Sequence, residues 1–189
     1  MPTSKRNKKM TTKSSTIQDE VRAHIRDIPD FPKPGIIFKD ITPVLSNGEL
    51  FKDVILHLAD RYRSEEISAI VGVDARGFIF SSALAAELGV GMVPIRKKGK
   101  LPSKTHSITY DLEYGQDTLE IHQDALEEGK KVILVDDVLA TGGTIKACLD
   151  LLENISVEAI ETAFLIELAF LNGKEKIKDT NHYSLVSYT

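Results

Sequence analysis

The chain has a single cysteine, Cys148, and no uninterrupted apolar run near the roughly 20 residues that cross a bilayer. One thiol forms no intrachain disulfide, so the expected setting is a reducing one, the cytoplasm, with Cys148 packed as a small apolar residue in a helix. The N-terminus lacks the apolar stretch of a secretory signal. Two common phosphate-binding signatures are also missing. A P-loop needs lysine and then a hydroxyl residue after its last glycine, whereas Gly142 and Gly143 are followed by Thr144 and Ile145. A dinucleotide fingerprint needs G-x-G-x-x-G, and Gly89-Val90-Gly91 runs on to Pro94 instead. His24, His57, His106, His122 and His182 show no metal-ligand spacing, and no internal repeat or low-complexity segment is present.

Basic charge is scarce outside the first 13 residues. These carry Lys5, Arg6, Lys8, Lys9 and Lys13 without an acid. Removing those five from the 24 basic side chains leaves 19 against 28 acidic ones, so the body is acidic, about −9. Duplex binding rests on many Lys and Arg contacts to phosphate, so neither nucleic acid nor a membrane is expected as a partner. Residues 1–15 read as a flexible basic arm, and Met10 is an alternative start to Met1. The remaining 16–189 suit one domain with an ordinary core.

What the chain does have is Val132-Ile133-Leu134-Val135-Asp136-Asp137 followed by Val138-Leu139-Ala140-Thr141-Gly142-Gly143-Thr144. Four apolar β-formers suit a central parallel strand stopped by the aspartates, with a ligand at its carboxyl end. Ile145, Leu149 and Leu152 then recur at near-helical spacing, so a helix begins about Thr144 with its free N–H groups facing an anion. Gly142 and Gly143 permit positive φ and close backbone approach, and Thr141 and Thr144 add hydroxyl donors. Paired carboxylates before such a loop suit the 2- and 3-hydroxyls of a ribose whose 5-phosphate lies on the loop.

The rest of the pattern alternates helix and strand. Thr16 and Asp19 form a capping box before Ile17, Val21, Ile25 and Ile28, read as one helix face. A short strand is predicted at Ile36–Phe38, and a helix capped by Asn47 carries Leu50, Phe51, Val54, Ile55, Leu58 and Tyr62. Strands are predicted at Ile70–Val73, Val93–Arg96, Val132–Val135, Glu158–Ile166 and Tyr183–Ser187, with a helix over Phe78–Leu88. This is an α/β fold, a central mostly parallel sheet flanked by helices. Residues 97–123 break the rhythm: two short strands, Ile108–Tyr110 and Thr118–Ile121, read as a mobile β-hairpin lid.

Val135 to Thr144 resembles the phosphoribosyl-diphosphate motif of the type I phosphoribosyltransferases. Pro29 to Pro43, Asp74-Ala75-Arg76-Gly77-Phe78, Arg96 to Pro102 and Tyr110 to Gly115 are similar to segments of the adenine-using members, extending the likeness from about Ile17 to the C-terminus. The resemblance implies an N-terminal hood over about 16–45, the lid over about 97–123, a homodimer, and transfer of phosphoribosyl from 5-phosphoribosyl 1-diphosphate to adenine, giving AMP and diphosphate. Asp136, Asp137, Ala140, Thr141, Gly142, Gly143 and Thr144 would hold the phosphoribosyl part, and Arg76, Arg96, Lys97 and Lys100 the diphosphate. Mg2+ would be carried chiefly by substrate oxygens near Asp136 and Asp137. Glu113 is the expected acid–base residue, with Arg76 also catalytic and Tyr114 either packing on the substrate or stabilising the closed lid. Ile37, Phe38, Lys39 and Val138 would surround the adenine. Lys39 stands where many relatives carry arginine. Two other readings remain at this stage: a xanthine, hypoxanthine or guanine enzyme of the same family, and a regulator that senses phosphoribosyl diphosphate without turnover.

Overall fold

The computed structural model describes residues 15–111 and 115–189, and the chain divides into two compact units after Leu50. In the first, α1 (Ile17–His24) starts on the expected capping box: Thr16 Oγ1 accepts from the Asp19 N–H, and the Asp19 carboxylate accepts from the Thr16 N–H. The helix stops sooner than its apolar period suggests. Ile25 is already extended, and Ile28 belongs to β1 (Arg26–Pro29), which pairs antiparallel with β2 (Ile37–Asp40). The pairing with β2 is a nonlocal contact that outweighs the helical spacing of Ile28. It also displaces the expected strand from Ile36–Phe38 toward Asp40.

Between these strands the Asp30 carboxylate accepts from the Gly35 N–H at 2.7 Å, closing the turn. A short α2 (Thr42–Ser46) follows, its first N–H groups served by Asp40, which accepts from Thr42 at 2.9 Å. Val21, Ile41 and Val44 form the buried centre of this unit. Asn47 caps α3 (Gly48–Tyr62) by accepting from the Leu50 N–H at 3.2 Å.

The second unit holds a seven-stranded sheet. Its strands are β3 (Ala69–Val73), β4 (Gly91–Lys97), β5 (Thr105–Asp111), β6 (Gln116–His122), β7 (Lys131–Leu139), β8 (Glu158–Leu168) and β9 (Asn181–Tyr188), ordered β5-β6-β4-β3-β7-β8-β9. The run from β4 through β9 is parallel, while β6 joins β4 antiparallel and pairs with β5 as a hairpin. Every residue of β3 is buried, as expected of a strand covered on both faces. Helices α4 (Gly77–Leu88) and α5 (Gly143–Asn154) follow β3 and β7, so both begin at the carboxyl edge of the sheet.

Two sequence expectations change here. Strand β7 does not stop at the aspartates: it pairs with β8 as far as Leu139, so Asp136 and Asp137 are strand residues, one on each face. The inner half of the 97–123 hairpin is also built into the sheet. Leu119 and Ile121 are essentially fully buried, and Ile108 and Tyr110 pack on the same core. Among the described residues no helix is long and apolar enough to cross a membrane.

Candidate active site

Three loops leave the carboxyl ends of the adjacent strands β4, β3 and β7, and most of the expected site residues of the second unit lie on them. The loop after β7 is the best formed. Gly142 takes a left-handed φ of 76° and is the N-cap of α5, so Gly143 is already helical and only one of the two glycines has positive φ. That kink turns the chain from strand to helix within three residues. A hollow of about 80 Å³ is lined by Asp136, Val138, Ala140, Thr141, Gly142, Gly143, Thr144 and Ile145. A larger hollow of about 660 Å³ lies among Lys146, Asp150, Glu153, Lys176 and the first residues of β8 and β9, and includes neither aspartate nor the glycine loop. Volume alone does not identify a site. The smaller hollow has the start of α5 and the hydroxyls of Thr141 and Thr144.

The loop rests on a contact that no local signal announces. A 3-10 turn (Gly173–Ile177) brings Gly173 against it, so closely that a Cβ on Gly142 would lie 2.3 Å from the Gly173 carbonyl oxygen. A Cβ on Gly173 would lie 2.2 Å from the Ala140 carbonyl oxygen. Sequence reasoning assigned Gly173 no part. The only available cue was the Asn172-Gly173 pair, an ordinary turn signal.

The aspartates occupy a strained electrostatic position. Asp136 Oδ1 accepts from the Asp137 N–H at 2.8 Å, and α4 crowds the same place, since a Cβ on Gly77 would lie 2.9 Å from that oxygen. Burial, and then the charge of Asp137, push Asp136 well above the usual carboxylate range. Burial raises Asp137 as well, against the pull of the Arg76 guanidinium. Arg76 Nε stands 2.8 Å from Asp137 Oδ2, an ionic contact rather than an aligned hydrogen bond. The Asp137 side chain is 6% exposed and that of Arg76 is 42% exposed, so the arginine keeps an outward face. Arg76 sits in the turn after β3, which contains a cis peptide between Asp74 and Ala75.

The remaining cations are held separately. Arg96 Nε lies 3.2 Å from Asp74 Oδ2, joining the ends of β4 and β3, and Nη1 donates to the Lys100 carbonyl at 3.3 Å. Lys97 Nζ pairs with Asp117 of β6 at 3.0 Å. The Gly99 N–H donates to the largely buried Glu120 at 2.9 Å, fixing the turn that carries Lys98 and the exposed Lys100. Each described acid in this set, Asp74, Asp117 and Glu120, therefore shapes a loop rather than gathering around a common point. Among the described residues no three His, Cys, Asp or Glu side chains are grouped to hold a metal ion.

In the first unit, Ile37, Phe38 and Lys39 are consecutive on β2. Ile37 is exposed, Phe38 meets Phe31 edge to face at 5.2 Å, and Lys39 Nζ pairs with Asp27 at 2.6 Å. Phe31, Ile36 and Ile37 leave an apolar surface of about half-exposed side chains on this hairpin. Val138 belongs to the second unit and lines the loop hollow. Glu113 and Tyr114 lie outside the described residues.

Residues 41–187 match the phosphoribosyl transferase domain model. The adenine phosphoribosyltransferase of Chloroflexus aurantiacus is 52% identical over 171 residues, 90% of this chain and 99% of that protein. The Roseiflexus sp. enzyme of the same name is 56% identical, covering 87% and 95% of the two chains. Among solved structures, adenine phosphoribosyltransferase from Thermoanaerobacter pseudethanolicus superposes with a TM-score of 0.87 at 48% identity, covering 90% of this chain and 99% of that one. The Saccharomyces cerevisiae enzyme, crystallised with adenine and an imino-altritol bisphosphate, gives 0.85 at 40% identity over 89% and 98%. With its motif loop, its sheet order and its relatives in agreement along nearly the whole length, the chain belongs to the phosphoribosyltransferases, in the adenine phosphoribosyltransferase family.

Proposed function

We propose that this protein transfers the 5-phosphoribosyl group of 5-phosphoribosyl 1-diphosphate to adenine, releasing AMP and diphosphate, a purine-salvage reaction. The observation that carries the reading is the succession, within nine residues, of Asp136 and Asp137 on a buried strand, the left-handed Gly142, and the first two residues of α5. A dianionic phosphate is favoured by the free N–H groups and dipole of that turn, with Thr141 and Thr144 as further donors. The two carboxylates, a strand's end away, suit the ribose hydroxyls. Their raised proton affinity reflects a desolvated site that gains from a cation or from hydroxyl donors.

Adenine forms a bond from its imidazole nitrogen to the anomeric carbon as the carbon–oxygen bond to diphosphate breaks with inversion. The electron pair leaves with the diphosphate, and the ring proton passes to the Glu113 carboxylate. Arg76, Arg96, Lys97 and Lys100 meet the negative charge that grows on the departing group, which stabilises the transition state more than the ground state. Closure of the hairpin excludes water and desolvates Glu113, raising its proton affinity toward the working range. Ile37, Phe38, Lys39 and Val138 take the purine, with backbone groups of the hood reading its amino edge. A 6-oxo purine would leave the carbonyl facing that edge unpaired, a mismatch that costs specificity strongly.

Mg2+ would be held chiefly by the diphosphate and ribose oxygens of the substrate, as a hard cation prefers, with Asp136 and Asp137 nearby. The ion would neutralise charge on the leaving group. Homodimeric assembly and a cytoplasmic location complete the proposal, and the single cysteine, a buried free thiol, fits that setting.

The test is product formation from phosphoribosyl diphosphate and Mg2+ with adenine, hypoxanthine, guanine and xanthine in parallel, for wild type and Glu113→Ala. AMP from adenine alone, with a rate loss of about a hundredfold or more in the variant, supports the reading. Preference for an oxo purine would sink the hood argument. Binding without turnover on any base would sink the enzymatic one.

A further inference from the structure

The hairpin and the phosphate loop touch through two side chains. Tyr110, the sixth residue of β5, packs on the buried core, and its phenol oxygen stands 3.3 Å from Oγ1 of Thr144. Thr144 is the second residue of α5, two positions after the left-handed Gly142. Its hydroxyl is thus one of the groups assigned to the 5-phosphate, and the present inference rests on that assignment.

A threonine hydroxyl has one proton to donate and two lone pairs. Thr144 can either donate to Tyr110 and offer only lone pairs elsewhere, or accept from Tyr110 and direct its own proton outward. A phosphate oxygen requires the second arrangement. Burial pushes the Tyr110 phenol up from its ordinary value, so the phenol keeps its proton throughout the neutral range and is able to donate. The contact is longer than the ordinary hydroxyl–hydroxyl distance of about 2.7–2.8 Å. A chain that ends on an anion is charge-assisted and cooperative, so each member strengthens the next when ligand is bound.

We infer that Tyr110 is a positioning residue for the phosphoribosyl site: its O–H donates to Thr144 Oγ1, which fixes the Thr144 proton toward the 5-phosphate. The same contact ties β5 to the phosphate loop, so the strand that runs on to Glu113 in sequence is registered against the phosphate end of the substrate. Tyr110 does not touch the substrate. It acts through Thr144.

Tyr110→Phe keeps the ring and its packing and removes only the hydroxyl, and Thr144→Val removes the acceptor at constant volume. Wild type, both single variants and the double variant are compared by calorimetric titration with phosphoribosyl diphosphate and Mg2+, by AMP formation, and by Tm. The expected result for Tyr110→Phe is a rise of about three- to tenfold in Kd and KM for phosphoribosyl diphosphate, with KM for adenine and Tm unchanged. In the Thr144→Val background the same substitution changes nothing further. An unchanged Kd in Tyr110→Phe overturns the inference. So does an equal factor in the Thr144→Val background, an equal rise in the KM for adenine, or a lower Tm without a change in Kd. A wild-type protein that binds phosphoribosyl diphosphate but forms no AMP would remove the proposed function, and the four Kd values would still decide the role of Tyr110.

Discussion

Gly142 and Gly173 meet backbone to backbone, each lying where the other's side chain would have to be. Gly142 is bound to be glycine twice over, by its φ of 76° and by the Gly173 carbonyl 2.3 Å from an added Cβ. Gly173 has no unusual φ among the described backbone specials, so its requirement is wholly one of space. The 3-10 turn after β8 therefore acts as the floor of the phosphate loop.

Gly173→Ala is expected to displace the loop, because the methyl group meets the Ala140 carbonyl, which cannot swing aside like a side-chain tip. Overpacking of this kind costs about 1–3 kcal/mol. A denaturant titration should show that loss, and KM for phosphoribosyl diphosphate should rise at least about tenfold, since a 1 Å misplacement can cost about a hundredfold. Gly143→Ala is the contrast: the nearest atom to its added Cβ is Lys176 Nζ at 4.0 Å, so stability should change by less than about 0.5 kcal/mol.

Arg76→Met removes the guanidinium held against Asp137 while keeping a long apolar stem. With that counter-charge gone, Asp137 binds its proton more tightly, because Arg76 is the largest of the influences that oppose burial there. The expected loss in kcat/KM for phosphoribosyl diphosphate is about 10²–10³-fold. Arg76→Lys should recover part of it, since lysine restores the charge without the planar fork. Equal steady-state constants for the methionine variant and wild type would remove Arg76 from the site.

Local rules and nonlocal contacts divide what the sequence reveals. The Thr16–Asp19 cap, the Asn47 cap, the α4 span and the apolar run of β7 are local and are legible in composition and spacing. The extension of β7 through its aspartates is not, because β8 provides the pairing partners Ile166 and Glu167 for Val138 and Leu139. Ile28 fits a helical period as well as it fits β1, and only β2 distinguishes the two. In the site, Arg76 and the aspartates stand out by motif, but their pairing depends on β3 and β7 being neighbours. Gly173 carries only a turn signal, and Tyr110 stands in a recognised segment without its role being legible, for the same reason: each matters through residues at the β7–α5 junction that are far along the chain.

Glu161 should affect stability without affecting catalysis. Arg61 donates to both of its carboxylate oxygens at 2.6 Å, and the Tyr62 hydroxyl donates to one of them at 2.6 Å. Burial alone would raise Glu161, but the Arg61 and Tyr62 hydrogen bonds outweigh it and hold the carboxyl below its usual value. Glu161→Ala leaves the buried Tyr62 hydroxyl without that acceptor, at a cost of about 1–3 kcal/mol near neutral pH. A depressed carboxyl contributes stability above its unfolded-state value and loses it as pH falls through the folded one. The gap between variant and wild type should therefore narrow in acid, with both KM values unaltered throughout.

Asp136 has the opposite sign, which makes it the sharper test of the site. Its folded carboxyl is raised by burial and then by Asp137, so between the ordinary value and the raised one the native protein holds more protons than the unfolded chain. Stability falls as pH rises through that window, and above it the ionised Asp136 is a standing cost to the fold. Asp136→Asn is permanently neutral and keeps an oxygen to accept from the Asp137 N–H. The variant should melt higher than wild type at about pH 8, by about 2–4 °C for each kcal/mol released in a chain of this size. The advantage should vanish below about pH 4, where the aspartate is itself protonated. Phosphoribosyl diphosphate should bind more weakly to the stabilised variant, because the charge that burdens the free protein is the one the proposed function sets against the ribose hydroxyls and the magnesium ion. A variant less stable than wild type at pH 8 would mean that the carboxylate is compensated within the free fold, and the reading of a site held open for cation and hydroxyls would fail.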